Sequence, residues 1–131
     1  MREIKFRGKQ IYTGEWVYGY FCFNGWIGKQ KHYIMPEYAS AFYGIEVAPE
    51  TIGQFTNLHD KNGKEIYEGD IVKDKLSKKL EVFWKEWGFG GWWLGERDEE
   101  GELRVIKSID LTDVEIIGNI HDQKAEVEHE Y

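Results

Sequence analysis

Residues 60–72, Asp60-Lys61-Asn62-Gly63-Lys64-Glu65-Ile66-Tyr67-Glu68-Gly69-Asp70-Ile71-Val72, decide how the rest of the chain is read. Asn62-Gly63 is a turn pair, because tight hairpin turns need positive φ and Asn and Gly reach it at least cost. Ile66-Tyr67 are inward apolar positions. Glu68-Gly69-Asp70 is a second tight turn: Gly takes the unusual φ, and the Asp carboxylate accepts bonds from nearby backbone N–H groups. Ile71-Val72 then opens a strand. The stretch predicts a hairpin followed by the start of a small β-barrel.

Downstream, residues 74–79 read as a charged hairpin loop. Residues 80–85 (LEVFWK) form a strand with Leu80, Val82 and Trp84 on one face. Residues 86–91 are a glycine–aromatic bend. Residues 92–94 and 103–106 flank the acidic loop 96–102, and residues 113–120 make the last strand. Several short strands joined by charged turns predict a small SH3-like barrel, which closes the sheet and hides its edges.

Upstream, residues 2–7 alternate charge with apolar character. Glu3, Lys5 and Arg7 fall on one side and Ile4 and Phe6 on the other, the pattern of a half-buried strand. Residues 8–14 read as a loop and residues 15–23 (EWVYGYFCF) as a strong strand. Asn24-Gly25 is another hairpin signal. Residues 31–35 and 51–56 read as strands, residues 36–44 as a loop or one helical turn, and Pro49 biases Ala48 to an extended conformation. The expected fold is mostly β: an N-terminal β-hairpin region (1–50), an SH3-like small β-barrel (51–122) and an acidic tail (123–131), with at most short helical segments, in one compact unit.

A chain of 131 residues with 41% hydrophobic and 31% charged residues can bury a core without disulfide staples. Cys22 is the one cysteine, so no internal disulfide forms and nothing points to secretion. The opening residues lack the apolar run of a signal peptide, and no stretch is apolar enough to span a membrane as a helix. These features predict a cytoplasmic protein. Residues 1–35 hold six Lys/Arg and two Asp/Glu, whereas residues 73–131 hold nine and fifteen. The net charge of −7 argues against generic duplex DNA binding, which needs many cations to displace counterions.

Three stretches resemble the YopX-like family of bacteriophage and prophage proteins: residues 1–8 running on to 14–20, residues 51–56 through 60–72, and residues 114–122 (VEIIGNIHD). Asn57 stands where the resemblance leads one to expect Gly, and Asn tolerates a left-handed backbone. The resemblance implies a phage or prophage origin in a bacterial host and self-assembly. It implies no particular activity.

Each candidate site has a bland alternative. Glu68 and Asp70 offer a carboxylate pair for acid–base work, but turn chemistry accounts for their spacing. His59-Asp60, His121-Asp122 and His32 lack the fixed spacing of a metal site. Cys22, between Phe21 and Phe23, reads as a small buried hydrophobe. Trp84, Trp87, Phe89, Trp92 and Trp93, interleaved with glycines, form either a ligand or interface platform or part of the core. Lys73, Lys75, Lys78 and Lys79 are candidates for phosphate-backbone contact, against the reading of a solvated hairpin. No catalytic residue, metal ligand or cofactor is assigned. The leading expectation is a non-enzymatic accessory protein acting through protein–protein contacts as a homo-oligomer, with a host or phage protein as a further partner. The alternative is a nucleic-acid-binding module using the Trp-rich segment and the Lys cluster.

Overall fold

Strands dominate the chain, and their pairing follows from where the turn residues lie. The computed structural model describes residues 3–24, 31–37, 44–85, 91–109 and 114–122. It divides into two units, Met1–Phe55 and Thr56–Tyr131. The sequence places its boundary between residues 50 and 51; the division in the structure falls inside a strand. The Asn24-Gly25 turn, Trp87, Phe89 and the tail 123–131 lie outside the described residues.

The first unit contains β1 (Phe6–Lys9), β2 (Trp16–Asn24), β3 (Lys31–Pro36), β4 (Ile45–Glu46), one 3-10 turn (Pro49–Thr51) and the start of β5 (Gly53–His59). The strands pair antiparallel in the order β4-β3-β2-β1-β5. Val17, Ile34 and Val47 are buried together, with Phe6, Ile45 and Ile52 against them. The ends of β1 and β4 are tied: Gln10 bridges Val47, Ile11 N–H donates to Glu46 O (3.2 Å) and Ala48 N–H to Lys9 O (2.9 Å). The Thr51 hydroxyl accepts from Lys9 N–H (2.8 Å) and donates to Ala48 O (2.6 Å), fixing the turn against β1.

The opening strand departs from expectation. It begins at Phe6 and takes in Gly8 and Lys9, where a loop is predicted. Its burial also differs from a simple apolar-in pattern: Ile4 is 64% exposed, while Lys5 and Arg7 are buried. Lys5 tolerates burial because Glu3 (3.5 Å) and Glu37 (3.4 Å) lie beside its ammonium group, which also stands over the Phe55 ring.

The second unit continues with the rest of β5, β6 (Glu65–Tyr67), β7 (Asp70–Lys73), β8 (Lys79–Lys85), β9 (Gly91–Arg97), β10 (Leu103–Ser108) and β11 (Glu115–Asn119). Five strands form an antiparallel sheet in the order β10-β9-β8-β7-β11. Strands β7 to β10 follow one another as a meander, and β11 returns to pair with β7. Ile66, Val72, Leu80, Val82, Leu94 and Val114 form the core. The mostly β reading therefore holds, but the closure expected of an SH3-like barrel is corrected. β10 and β11 are the ends of an open sheet, and no pairing among the described residues joins them. The β-bulges in β9–β10 and β11–β7 interrupt the registers of those two end strands.

One turn occurs three times in this unit. In Asp60-Lys61-Asn62-Gly63-Lys64, Asp74-Lys75-Leu76-Ser77-Lys78 and Asp98-Glu99-Glu100-Gly101-Glu102, the first Asp Oδ1 accepts the N–H groups two and four residues on, all at 2.8–2.9 Å. The fourth residue is left-handed, with φ 83° at Gly63, 63° at Ser77 and 85° at Gly101. In the Asp60 copy, Oδ2 also accepts the backbone Ile116 N–H (3.0 Å), pinning the turn to β11. Asn57 takes φ 66°, so the Asn that stands in place of Gly adopts the left-handed backbone its side chain tolerates.

Candidate functional site

In an antiparallel pair, residues directly opposite one another share a face. The β1–β2 register sets Arg7 opposite Tyr18 and Lys9 opposite Trp16, and the β2–β3 register sets Tyr20 opposite Met35. Period-two alternation therefore places Lys5, Arg7 and Lys9 on the same face as Trp16, Tyr18 and Tyr20, away from Val17 and the core. The Arg7 guanidinium carbon stands 4.5 Å from the Trp16 ring centroid and Lys9 Nζ 5.3 Å from it. Lys5 Nζ lies 5.2 Å from the Phe55 centroid. Each cation is drawn to the negative face of its ring, which orients both partners.

Tyr18 is 42% exposed and Tyr20 55%. Lys5 is offset by Glu3 and Glu37, and Lys31 lies 3.9 Å from Glu46. Buried Arg7 and half-buried Lys9 both stand over Trp16 at one end of the tyrosine row. Half-buried Cys22 lies two positions beyond Tyr20, opposite Tyr33. This face presents two exposed phenol rings next to the half-buried Trp16.

The aromatics singled out from the sequence are placed differently. Trp84 and Trp92 meet edge to face, with centroids 5.0 Å apart and planes at 70°. Trp92 packs against the second core, and Trp84, 39% exposed, caps the end of that face. Trp93 lies on the opposite face, across from Phe83, and is half-buried. The indole Nε1 of Trp92 is buried and finds no hydrogen-bond acceptor among the described residues.

The Lys cluster is interleaved with carboxylates. Lys78 Nζ is 3.4 Å from Glu96, Lys73 pairs across from Glu115, and Asp74 accepts Lys107 Nζ at 3.0 Å. The Asp74 carboxyl is held below its ordinary range, first by Lys78 N–H and then by Lys107. Glu96 is likewise lowered, by Arg104 first and then Lys78. Lys75 and Lys79 are exposed.

The acidic and imidazole candidates serve the fold. Asp70 is buried, and its Oδ2 accepts Tyr67 N–H at 2.8 Å across the Gly69 turn, where φ is 91°. Asp60 is engaged by three backbone N–H groups. Asn119 Oδ1 caps the single helical turn 120–122 by accepting from His121 and Asp122, and its Nδ2 donates to Asp122. His32 stacks on Phe21, with centroids 5.9 Å apart. Among the described residues, no group of three or more His, Cys, Asp or Glu is arranged to hold a metal ion.

The cation–aromatic face carried a signal in the sequence, since Lys5-x-Arg7-x-Lys9 and Trp16-x-Tyr18-x-Tyr20 both repeat with period two. What joins the two rows is the register, which neither row states alone. Compared with known families, residues 5–125 match the family model described as YopX protein. No curated protein matches the chain.

Proposed function

The chain belongs to the YopX protein family, and we propose that it is a non-enzymatic accessory protein of phage or prophage origin that binds a partner through the cation–aromatic face of its first unit. The observation that carries this reading is the exposure of Tyr18 and Tyr20 beside Arg7 and Lys9 on Trp16. Tyr is a residue type that anchors interfaces, because it combines a large contact area with a polar group.

The charge distribution favours a second copy as one such partner. Residues 1–35 carry a basic excess and residues 73–131 an acidic one, so the start of one chain complements the end of another. Assembly of this kind is a cytoplasmic, non-covalent function that needs no cofactor. No helix among the described residues is long and apolar enough to cross a membrane.

Light scattering over a range of concentration and salt tests the reading. The expected result is a mass above that of the monomer at low salt that falls as salt screens the contact. The Tyr18→Ala/Tyr20→Ala double variant should shift the equilibrium toward monomer. A wild-type monomer under every condition would remove the assembly.

A further inference from the structure

We propose that the edge of β10 captures an extended acidic segment of a partner protein by strand addition, a binding surface in the second unit that goes beyond the cation–aromatic face of the first. The two ends of the second sheet are finished differently. β11 is capped: Asp60 Oδ2 accepts Ile116 N–H (3.0 Å), and Lys61 N–H donates to Val114 O (3.0 Å). β10 has no such cap among the described residues. The ladder says which of its backbone groups point outward. Asp98 N–H donates to Glu102 O (2.9 Å), so that opposed pair is hydrogen-bonded. Hydrogen-bonded and non-hydrogen-bonded pairs alternate along an antiparallel ladder. Arg104 therefore directs its backbone groups at Glu96, whereas Leu103 and Val105, opposite Arg97 and Gly95, turn their N–H and C=O groups away from β9. On that side they meet no hydrogen-bond partner among the described residues.

An open edge accepts many strands, and side chains narrow the choice. The sequence of β10, LRVIKS, holds two cations and no carboxylate. Lys107 is already held by Asp74 at 3.0 Å. Arg104 gives Nη2 to Glu96 (3.1 Å), but its side chain is 70% exposed and its other N–H groups have no partner among the described residues. It can take a second carboxylate while keeping the first. Half-buried Leu103 and Val105 stand on the face opposite to Arg104. The fitting strand thus carries a Glu or Asp beside Arg104 and apolar residues one position to either side, beside Leu103 and Val105. β10 of a second copy fits poorly, because pairing two such strands brings cations together. The β-bulge after Val105 confines docking to Leu103–Val105 and what immediately flanks it.

The test is NMR of the isotopically labelled full chain, titrated with a short synthetic peptide of alternating Val and Glu. The expected result is shifts concentrated on β10 and slower amide exchange at Leu103 and Val105. The same peptide with its backbone nitrogens N-methylated, and a peptide of alternating Val and Lys, should each bind weaker by on the order of tenfold or more, the first for want of donors and the second through charge. Val105→Pro removes an outward N–H that β9 does not use and should weaken binding by on the order of tenfold. Arg104→Gln should weaken it severalfold and leaves the backbone intact should the Pro variant fail to fold, which circular dichroism reports. No binding at millimolar peptide, equal binding of the N-methylated or Val–Lys peptide, shifts that spare β10, or folded variants that bind like the wild type overturn the proposal. Light scattering on the same samples separates it from self-association. Peptide capture by a protein that is monomeric throughout keeps this inference and removes the assembly, and assembly without peptide capture does the reverse.

Discussion

The two units use their aromatic side chains in opposite ways. In the first, Tyr18 and Tyr20 stand exposed on the outer face of the sheet in line with Trp16 and its cations, and the core is made by small branched residues such as Val17, Ile34 and Val47. In the second, which contains the tryptophan-rich stretch, Trp92 turns inward against Val82, Leu94 and their neighbours, and Trp84 closes over it. Aromatic density along the chain is therefore a poor guide to which rings face a ligand. Alternation relative to the branched core residues is the better guide: Tyr18 and Tyr20 fall on the face opposite Val17, whereas Trp92 falls on the same face as Leu94.

The strongest test of this contrast perturbs the close packing around the second unit's rings. Gly95 has no side chain because a Cβ there would lie 2.5 Å from Arg104 O and 2.8 Å from the Phe83 ring. Gly95→Ala should cost about 3 kcal/mol or more, since the near atoms include backbone, and urea unfolding will measure it. The contrast itself is read by Trp92→Ala against Tyr20→Ala. The first should cost about 2–3 kcal/mol by opening a cavity beside the core, and the second should stay within about 0.5 kcal/mol. Equal losses would break the distinction between core rings and face rings.

Next in size is Asp60→Asn, which places an amide where Oδ1 and Oδ2 now accept three backbone N–H groups. A loss of about 2 kcal/mol at neutral pH is expected from the donor left unpaired. Burial pushes the Asp60 carboxyl up, but the N–H groups of Ile116, Lys64 and Asn62, with the Lys64 charge, bring it below its ordinary value of 3.8. A depressed carboxylate stabilises the fold above the unfolded value and loses that contribution as pH falls through the folded one. The gap between wild type and Asp60→Asn should thus hold steady from neutral pH down to about 4 and shrink below 3.8. The smallest effect concerns the middle copy of the repeated turn. Ser77 adopts φ 63° where the other two copies have Gly. Ser77→Gly should raise stability by up to about 1 kcal/mol, visible as a higher urea midpoint.

Much of the second unit was legible from residue types. The strand at 80–85, the hairpin around the acidic loop and the turns at Gly63 and Gly69 all follow from local chemistry, and they appear as β8, β9–β10 and left-handed glycines. The three Asp turns were also written in the sequence as Asp-x-x-Gly/Ser-x, a pattern that becomes plain once the shared hydrogen bonds are seen. The first strand was less legible. Lys5 and Arg7 are buried because Glu3, Glu37, Phe55 and Trp16 gather around them, and contacts made across strands leave no mark on the alternation of a single strand. The cation–aromatic face was half legible, as two period-two rows awaiting a register.

By itself the sequence determined that this is a β protein, where most of its turns fall and which residues alternate together along each strand. Those are local consequences of backbone freedom at Gly and Asn, of Asp acceptors and of side-chain period. Only the tertiary structure decided which of the two faces became core, that no pairing among the described residues closes the second sheet, and that a row of cations meets a row of rings. The physical reason is that alternation sorts residues into two sets without saying which set is covered. That choice depends on the strand that pairs alongside and on the layer that packs above, both contributed by residues distant in the chain.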